Sequence, residues 1–471
     1  MKISSPYTLK DLQLADNKRC EEIKGMLERF HLNKDHVQGI VKAFESEIEL
    51  ALKDQPSSLL MENTYIPELP DGTEKGLYLA LDLGGTNFRV ILLELDNAEV
   101  KHEYVQKFHI DDDVRVSEGD KIFDFLAKCV NDFLHEHGAH HEKIAMGFTF
   151  SFPMKQHSLH SASLKKWTKS FHCPAIVGED VVLKLQNALN RIKRSNIEVL
   201  AIMNDTTGTL LQGAKLDHQT RIGIVVGTGT NAAYIEHAER VKHWEQKRHG
   251  ETNVVVVSEW GGFGDNGVID FCKTEFDIEV DQNSLNCHNY TFEKYISGKY
   301  IGETCRVIIK KLQEKKLLFA NANPEKLPHP YKFCSSNLSS IEDDHLKTNQ
   351  NNCGTKKVLE DFGYVYGKDF HDEDIEIVQY IVGIIEKRAA TLLSAVTSVL
   401  VNRMDESNVT VAIDGSVYKH HHRFRQWYHQ MTNELAPEKN IKFILAEDGS
   451  GKGAALAAAI ARKIEDRHYE E

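Results

Sequence analysis

Leu79-Ala80-Leu81-Asp82-Leu83-Gly84-Gly85-Thr86-Asn87-Phe88-Arg89 decides the reading of this chain. An apolar run breaks at an Asp into Gly-Gly-Thr and then resumes, which predicts a strand, a tight turn and a second strand. Glycines at the turn can take positive φ and let backbone N–H groups approach a ligand, and Thr86 and Asn87 add hydrogen-bonding side chains. Such a turn can hold a phosphate. Asp82, at the end of the strand, is better suited to a hydrated cation than to a core.

The pattern returns further along. Leu200-Ala-Ile-Met-Asn204-Asp205-Thr206-Thr207-Gly208-Thr209 is the first echo, Ile222 to Asn231 with Gly227-Thr228-Gly229-Thr230 the second, and Val411-Ala412-Ile413-Asp414-Gly415-Ser416 the third. Strand-to-turn junctions this rich in Asp, Gly, Thr and Ser suggest a duplicated α/β core whose phosphate-binding turns face each other across a cleft. Around them, Asn17 to Leu52, Ile122 to His137 and Asp374 to Val401 read as helices from their three-and-four spacing, and Ile91 to Leu95 and Ile144 to Phe150 extend a sheet. Pro67, Pro70, Asp71 and Gly72 mark a crossing between lobes. Asn321 to Asp361 shows no sustained period and is expected to be irregular with short helices.

At 471 residues the chain is too long for one core, so two lobes around a ligand cleft are expected. Its formal charge is −13, with 57 Lys and Arg scattered among 70 Asp and Glu, which argues against nucleic acid as a partner. The eight cysteines form no Cys-x-x-Cys pair and no regular spacing, against a zinc ribbon or a disulfide framework. No apolar stretch approaches the roughly 18 residues of a membrane span, and the N-terminus has no apolar segment with a cleavage site. A cytoplasmic location is expected. His420-His421-His422 and the His-rich segment His135 to His141 read as solvated surface, because consecutive histidines without supporting partners seldom bind metal.

Two nucleotide motifs fail. Gly449-Ser450-Gly451-Lys452-Gly453 lacks the upstream Gly and the Ser or Thr after the Lys that a P-loop needs, and reads as the start of an Ala-rich helix running to about Ile464. Gly227-x-Gly229-x-x-Ala232 satisfies a loose dinucleotide fingerprint, but it ignores the other turns.

Taken in order, Leu81 to Arg89, Gly147-Phe-Thr-Phe-Ser-Phe-Pro153, Trp167-Thr-Lys169, Asn204-Asp205-Thr206, Gly227 to Asn231, Glu259-Trp-Gly-Gly-Phe-Gly-Asp265 and Asp414-Gly-Ser-Val-Tyr-Lys419 closely resemble the hexokinase family. That family belongs to the sugar kinase, actin and heat-shock ATPase superfamily, and the resemblance runs from Leu60 to Ile464. It implies an α/β, two-lobed actin-like ATPase (ribonuclease H-like) fold, with a mixed five-stranded sheet flanked by helices in each lobe. The large lobe is expected over 1–75 and 208–446, and the small lobe over 76–207 and 447–471, where the C-terminal helix returns.

Phosphoryl transfer to a sugar hydroxyl needs a carboxylate to take the proton, and cations and N–H donors to neutralise charge on the γ-phosphate. Asp205, presented at a strand end beside Asn204, is the expected base; its alternative is a helix cap. By resemblance, Ser151, Phe152, Pro153, Thr168, Lys169, Asn204, Asp205, Asn231, Glu259 and Glu293 bind the hexose, and Lys169 also polarises the reacting groups. Glu293 carries little signal of its own. The resemblance assigns ATP to Asp82, Leu83, Gly84, Gly85, Thr86 and Asn87, to Thr228 and Gly229, and to Gly415, Ser416, Val417, Tyr418 and Lys419. Gly298, Lys299 and Ser336 or Ser339 are weaker transfers. Mg²⁺ has no direct protein ligand in this reading, with Asp82 and Asp205 orienting it through water.

Three departures stand out. Ser170 replaces the family's usual Gly, His422 stands where Pro is common, and His237 to Asn253 is longer and more charged than usual. None removes a group the chemistry needs. The resemblance therefore implies transfer of the γ-phosphoryl group of ATP to the 6-hydroxyl of glucose and similar hexoses, the first step of glycolysis. Its rivals are a hexokinase-like glucose sensor with little turnover and an actin- or chaperone-like ATPase without a sugar site. One catalytic unit, a monomer with a dimer as the alternative, and no apolar mitochondrial leader are expected.

Overall fold

The computed structural model describes residues 9–84, 87–167, 171–245, 247–346 and 352–470. The strands are β1 (Glu62–Asn63), β2 (Gly76–Leu83), β3 (Asn87–Asp96), β4 (Glu99–His109), β5 (Ile144–Phe150), β6 (Met154–Ser158), β7 (Ser161–Leu164), β8 (Ile197–Met203), β9 (Thr220–Val226), β10 (Thr230–His237), β11 (Asn253–Val257), β12 (Asn408–Asp414) and β13 (Asn440–Leu445). They form two mixed sheets and a small hairpin, ordered β4-β3-β2-β5-β8, β1-β11-β10-β9-β12-β13 and β6-β7.

The expected duplication is visible in the pairing. In each sheet an antiparallel meander continues into two parallel strands: β4, β3 and β2 then β5 and β8 in one, β11, β10 and β9 then β12 and β13 in the other. The larger sheet has six strands where five were expected, because Glu62 and Asn63 add an antiparallel edge opposite Val257 and Val256. The echoes of the opening motif are not equivalent, however. The turns after β2 and β9 are hairpins, whereas Asp205 and Asp414 lie where strands lead into the helices Asp205–Leu216 and Ser416–His420. Asn204 explains the first departure: its extended backbone and its side chain, accepting from Thr207 N at 2.9 Å, make it an N-cap.

Helix Asp372–Arg403 is apolar on nearly every face, so it can only sit inside packed structure, and most of its residues are buried in the large-lobe core. Asn321 to Asp361 holds the short helices Ser335–Leu346 and Cys353–Asp361. A separate core fills one face of the five-stranded sheet against helices Lys121–Glu136 and Val181–Arg191. A third joins the lobes, combining Tyr78, Ala80 and Ile91 with Ala233, Val255 and Val257 of the larger sheet and the Ala-rich C-terminal helix Gly449–Glu470.

The glycine run rejected as a P-loop has a packing role at that junction. A Cβ on Gly453 would come within 2.4 Å of Gly208 Cα, one on Gly449 within 2.8 Å of Thr209 Cα, and one on Gly147 within 1.9 Å of the Ala454 carbonyl oxygen. Only glycines let helices Asp205–Leu216 and Gly449–Glu470 meet backbone to backbone. The segment carrying Asp205 is thereby fixed to the C-terminal helix. The expected lobe boundary at 207/208 falls within that first helix.

Candidate active site

The ends of β2, β8, β9 and β12 lie close together: Asp414 feels Asp205 and Asp448, Asp448 pairs with Arg89 beside Asp82, and Gly415 packs on Val226. Gly415 has φ of +114°, and a Cβ there would lie 2.3 Å from the Val226 carbonyl oxygen; a side chain would separate β12 from the Gly227–Gly229 turn. Gly298 N–H donates to Gly227 O at 2.8 Å, bringing the start of helix Gly298–Glu314 to the same turn. Thr228 and Ser416 are exposed there. Val417 and Tyr418, expected among the ATP residues, are buried behind the turn: Val417 packs near Gly298, and the Tyr418 hydroxyl pairs with His429 Nε2 at 2.9 Å. Lys419 pairs with Glu447, Ser339 Oγ donates to His420 O at 3.0 Å, and the Lys299 ammonium lies 5.1 Å from the Tyr300 ring.

The histidine run is not all solvated surface. His421 is buried, with Nδ1 2.5 Å from Glu386 Oε1 and Nε2 2.8 Å from Ser335 Oγ. The Ser335–Leu346 helix thus takes its position beside the 415–421 segment from a buried histidine that composition alone assigned to solvent.

At the opening motif, Asp82 stands directly across the β2–β3 ladder from Arg89. Its Oδ2 accepts from Arg89 Nε at 2.9 Å and Ser450 Oγ at 2.8 Å, while Arg89 also reaches Asp448 at 3.1 Å. Arg89, within the quoted stretch itself, is a partner the sequence did not single out. Leu83 is buried and Gly84 half-buried. Gly85 and Thr86, the side chain of Asn87, and Thr168, Lys169 and Ser170 lie outside the described residues.

Acidic groups converge beside this turn. Burial pushes the Asp414 carboxyl up, and the nearby Asp448, Asp205 and Glu447 push it the same way against the Gly415 N–H bond at 2.7 Å. Oxygen-only donors with an excess of negative charge suit a hard cation such as Mg²⁺.

A cavity of about 200 Å³ opens between the lobes, with Phe152, Pro153 and Asn204 from one lobe facing Glu259 and Tyr290 from the other. Phe152 is rooted by its edge-on contact with Trp167, ring centres 4.9 Å apart; Trp167 stacks on Phe171 and donates to Cys173 O at 2.8 Å. Pro153 O accepts from Lys165 N at 2.8 Å, and Ser151 is half-buried at the same bend.

Across the cleft, Asn231 Nδ2 donates to Glu259 Oε1 at 2.8 Å while its Oδ1 accepts from Ala232 N. Glu259 sits in the left-handed region at φ 52°. Burial raises its carboxyl to about 7, assisted by Glu62 and Asp205 and opposed by the Asn231 bond. Glu293 accepts from Thr230 N at 3.2 Å, and a Cβ on Gly229 would come within 2.6 Å of its Oε2. Asn204, Asp205, Asn231, Glu259 and Glu293 are thus drawn together from strand ends and helix starts distant in sequence.

The sequence did not point to Glu62, Lys165, Lys166 and Tyr290, which also line the cavity, nor to the nearby pairs of Glu245. Glu62 pairs with Lys165 across the lobes, Lys166 lies 4.9 Å from the Tyr290 ring centre, and Glu245 bonds both Lys155 at 2.6 Å and His157 at 2.7 Å. Only the fold brings these pairs into reach.

Comparison with known proteins agrees with this architecture. Hexokinase family profiles match residues 22–215 and 221–460. The chain is 38% identical to human Hexokinase-2 over 467 residues, covering 96% of this chain and 49% of the relative, and 37% identical to mouse Hexokinase-1 over 463 residues, covering 96% and 46%. It therefore spans about half the length of these relatives. The solved structure of the Schistosoma mansoni hexokinase complexed with glucose superposes with a TM-score of 0.85 at 34% identity, covering 95% of this chain and all of that one. Among the described residues no helix is long and apolar enough to cross a membrane. Two duplicated sheets around a shared cleft, family profiles over both halves and a close structural match throughout lead to one assignment: the chain belongs to the hexokinase family.

Proposed function

We propose that this chain transfers the γ-phosphoryl group of ATP to the 6-hydroxyl of glucose and related hexoses, giving hexose 6-phosphate and ADP. The observation that carries the reading is the pairing of two unlike environments at Asp205. On one side lies the cavity bounded by Asn204, Glu259, Phe152 and Pro153, and Asp205 is near enough to Glu259 to raise its carboxyl; on the other lie the glycine-bearing turns at Gly227–Gly229 and Gly415, beside Asp414, whose carboxyl Asp205 also raises. A hexose in the first and a triphosphate along the second would meet at the carboxylate of Asp205.

In this reading Asp205 takes the proton of the 6-hydroxyl as its oxygen bonds to the γ-phosphorus, and the bond from that phosphorus to the bridging oxygen breaks to release ADP. Asn204, Asn231, Glu259 and Glu293 pair the ring hydroxyls, so a sugar lacking one leaves a buried group unsatisfied. Lys169 and Thr168 complete the sugar side. Asp82, Asp205 and Asp414 would hold Mg²⁺ through water, and the cation would supply positive charge against the phosphates. The large lobe comprises 1–75 and 208–446 and the small lobe 76–207 and 447–471. Sugar binding closes them and excludes water that would otherwise accept the phosphoryl group.

A coupled assay tests the reading. ADP release with MgATP is expected to depend on glucose and to match formation of glucose 6-phosphate. Glucose binding without turnover would instead identify a sensor, and ADP release indifferent to glucose would identify an ATPase.

A further inference from the structure

We propose a second, separate site: a surface position for a thiophilic divalent cation of the Zn²⁺ class, formed by Asp281, Cys287 and His288. Asp281 ends the helix Glu275–Gln282, and the chain then loops back so that Cys287 and His288 return over it. Asp281 Oδ2 lies 3.1 Å from His288 Nδ1 and 3.8 Å from Cys287 Sγ, and the ligand atoms of the three residues all lie within 4.8 Å of one another. Ligands bonded tetrahedrally at about 2.0–2.3 Å stand roughly 3.3–3.8 Å apart, so the two spacings from Asp281 lie close to those around a bound ion and small side-chain rotations would complete the set.

The donor set makes the choice of metal. Thiolate, imidazole and carboxylate together favour Zn²⁺ or Co²⁺ over Mg²⁺ and Ca²⁺, which take oxygen. With three protein ligands, water would fill the fourth place.

The surroundings are those of a supported site. Lys294, itself buried, pairs with Asp281 Oδ1 and donates to Asn286 O at 2.7 Å, anchoring both the carboxylate and the loop. The His288 backbone N–H donates to both Asp281 oxygens, at 3.0 and 3.2 Å. Without metal the Cys287 thiol donates to Asp281 Oδ2; binding replaces that proton with the ion, and His288 presents Nδ1 as acceptor while Nε2 keeps its hydrogen. The His288 side chain is 82% exposed, and Asp281 and His288 line a cavity of about 300 Å³, so an ion has a way in. The same loop ends at Tyr290, which lines the sugar-side cavity, so an ion would fix a wall of that cleft as well. That last consequence rests on the sugar-kinase reading; the binding does not.

Co²⁺ added to metal-free protein, without nucleotide, tests the site. A saturable thiolate-to-Co²⁺ absorption band at one equivalent is expected. The band is the diagnostic signal, because His135–His141 and His420–His422 contain no cysteine. Cys287→Ser should abolish it and His288→Ala should weaken binding by about tenfold or more. Cys334→Ser and Cys353→Ser, at the two exposed thiols, should leave it unchanged. Thermal unfolding of each metal-free variant checks its fold. No saturable band in wild type, survival of the band in Cys287→Ser, or wild-type affinity in His288→Ala would each overturn the proposal.

Discussion

Replacing Glu259 by Gln isolates the effect of burying a charge in the sugar cleft. Glutamine keeps the oxygen that accepts from Asn231 Nδ2, so the 2.8 Å bond survives while the titratable proton is lost. Burial raises the Glu259 carboxyl from 4.5 to about 7. At 1.36 kcal/mol per pH unit this amounts to roughly 3 kcal/mol. The sign follows from which state holds the proton. Between pH 4.5 and 7 the folded chain keeps a proton that the unfolded chain has released, so the folded state is favoured at low pH and loses that advantage as pH rises through 7. Urea unfolding of sugar-free wild type and Glu259→Gln at intervals from pH 4 to 8.5 should therefore give diverging curves. Relative to the variant, wild type should lose stability by up to roughly 3 kcal/mol between pH 4.5 and 7.5 and then run parallel. Glucose hydroxyls donating to the carboxylate should pull its titration down, so wild type should release protons on binding glucose near pH 6.5 and the variant should not. Parallel stability curves across the whole range would refute the argument that burial governs this carboxyl.

Gly229→Ala should push Glu293 away, since the new Cβ would fall 2.6 Å from Oε2; steady-state kinetics should show the glucose KM rising about tenfold or more, equivalent to about 1.4 kcal/mol. Gly415→Ala combines an unfavourable φ of +114° with a Cβ 2.3 Å from a carbonyl oxygen; urea unfolding should show a loss of about 2 kcal/mol or more, with weakened ATP binding by calorimetry. Arg388→Leu removes a buried guanidinium bonded to Asp277 at 2.8 and 2.9 Å. The stranded carboxylate should cost about 3–5 kcal/mol in urea unfolding, and an unchanged midpoint would contradict the burial argument.

Much of this architecture could be read before any fold was seen, because each phosphate-side junction advertises itself locally. The apolar runs ending in Asp-Leu-Gly, Asn-Asp-Thr, Gly-Thr-Gly and Asp-Gly-Ser lie at the ends of β2, β8, β9 and β12. Local pattern could not separate hairpin turns from strand-to-helix turns, since Asn204 caps a helix with residue types that also make turns. Glu293 was named only by resemblance; its bond to Thr230 joins residues 63 apart, and no local period records that. His421 misled for the opposite reason: a run of three histidines resembles solvated surface, yet Glu386 and Ser335, remote in sequence, bury the middle one. Glycines 449 and 453 resembled a phosphate loop because close backbone approach is their purpose in both settings, and here the approaching group is another helix. Cys287 and His288 drew no attention because their partner Asp281 belongs to the preceding helix.

The central claim is that Asp205 takes the proton from the reacting hydroxyl. The direct test is the rate of glucose 6-phosphate formation by Asp205→Ala at saturating glucose and MgATP, with glucose binding measured on the same protein by calorimetry. Its kcat should fall by about 10²–10⁴-fold with glucose still bound; turnover at the wild-type rate would rule out Asp205 as the base.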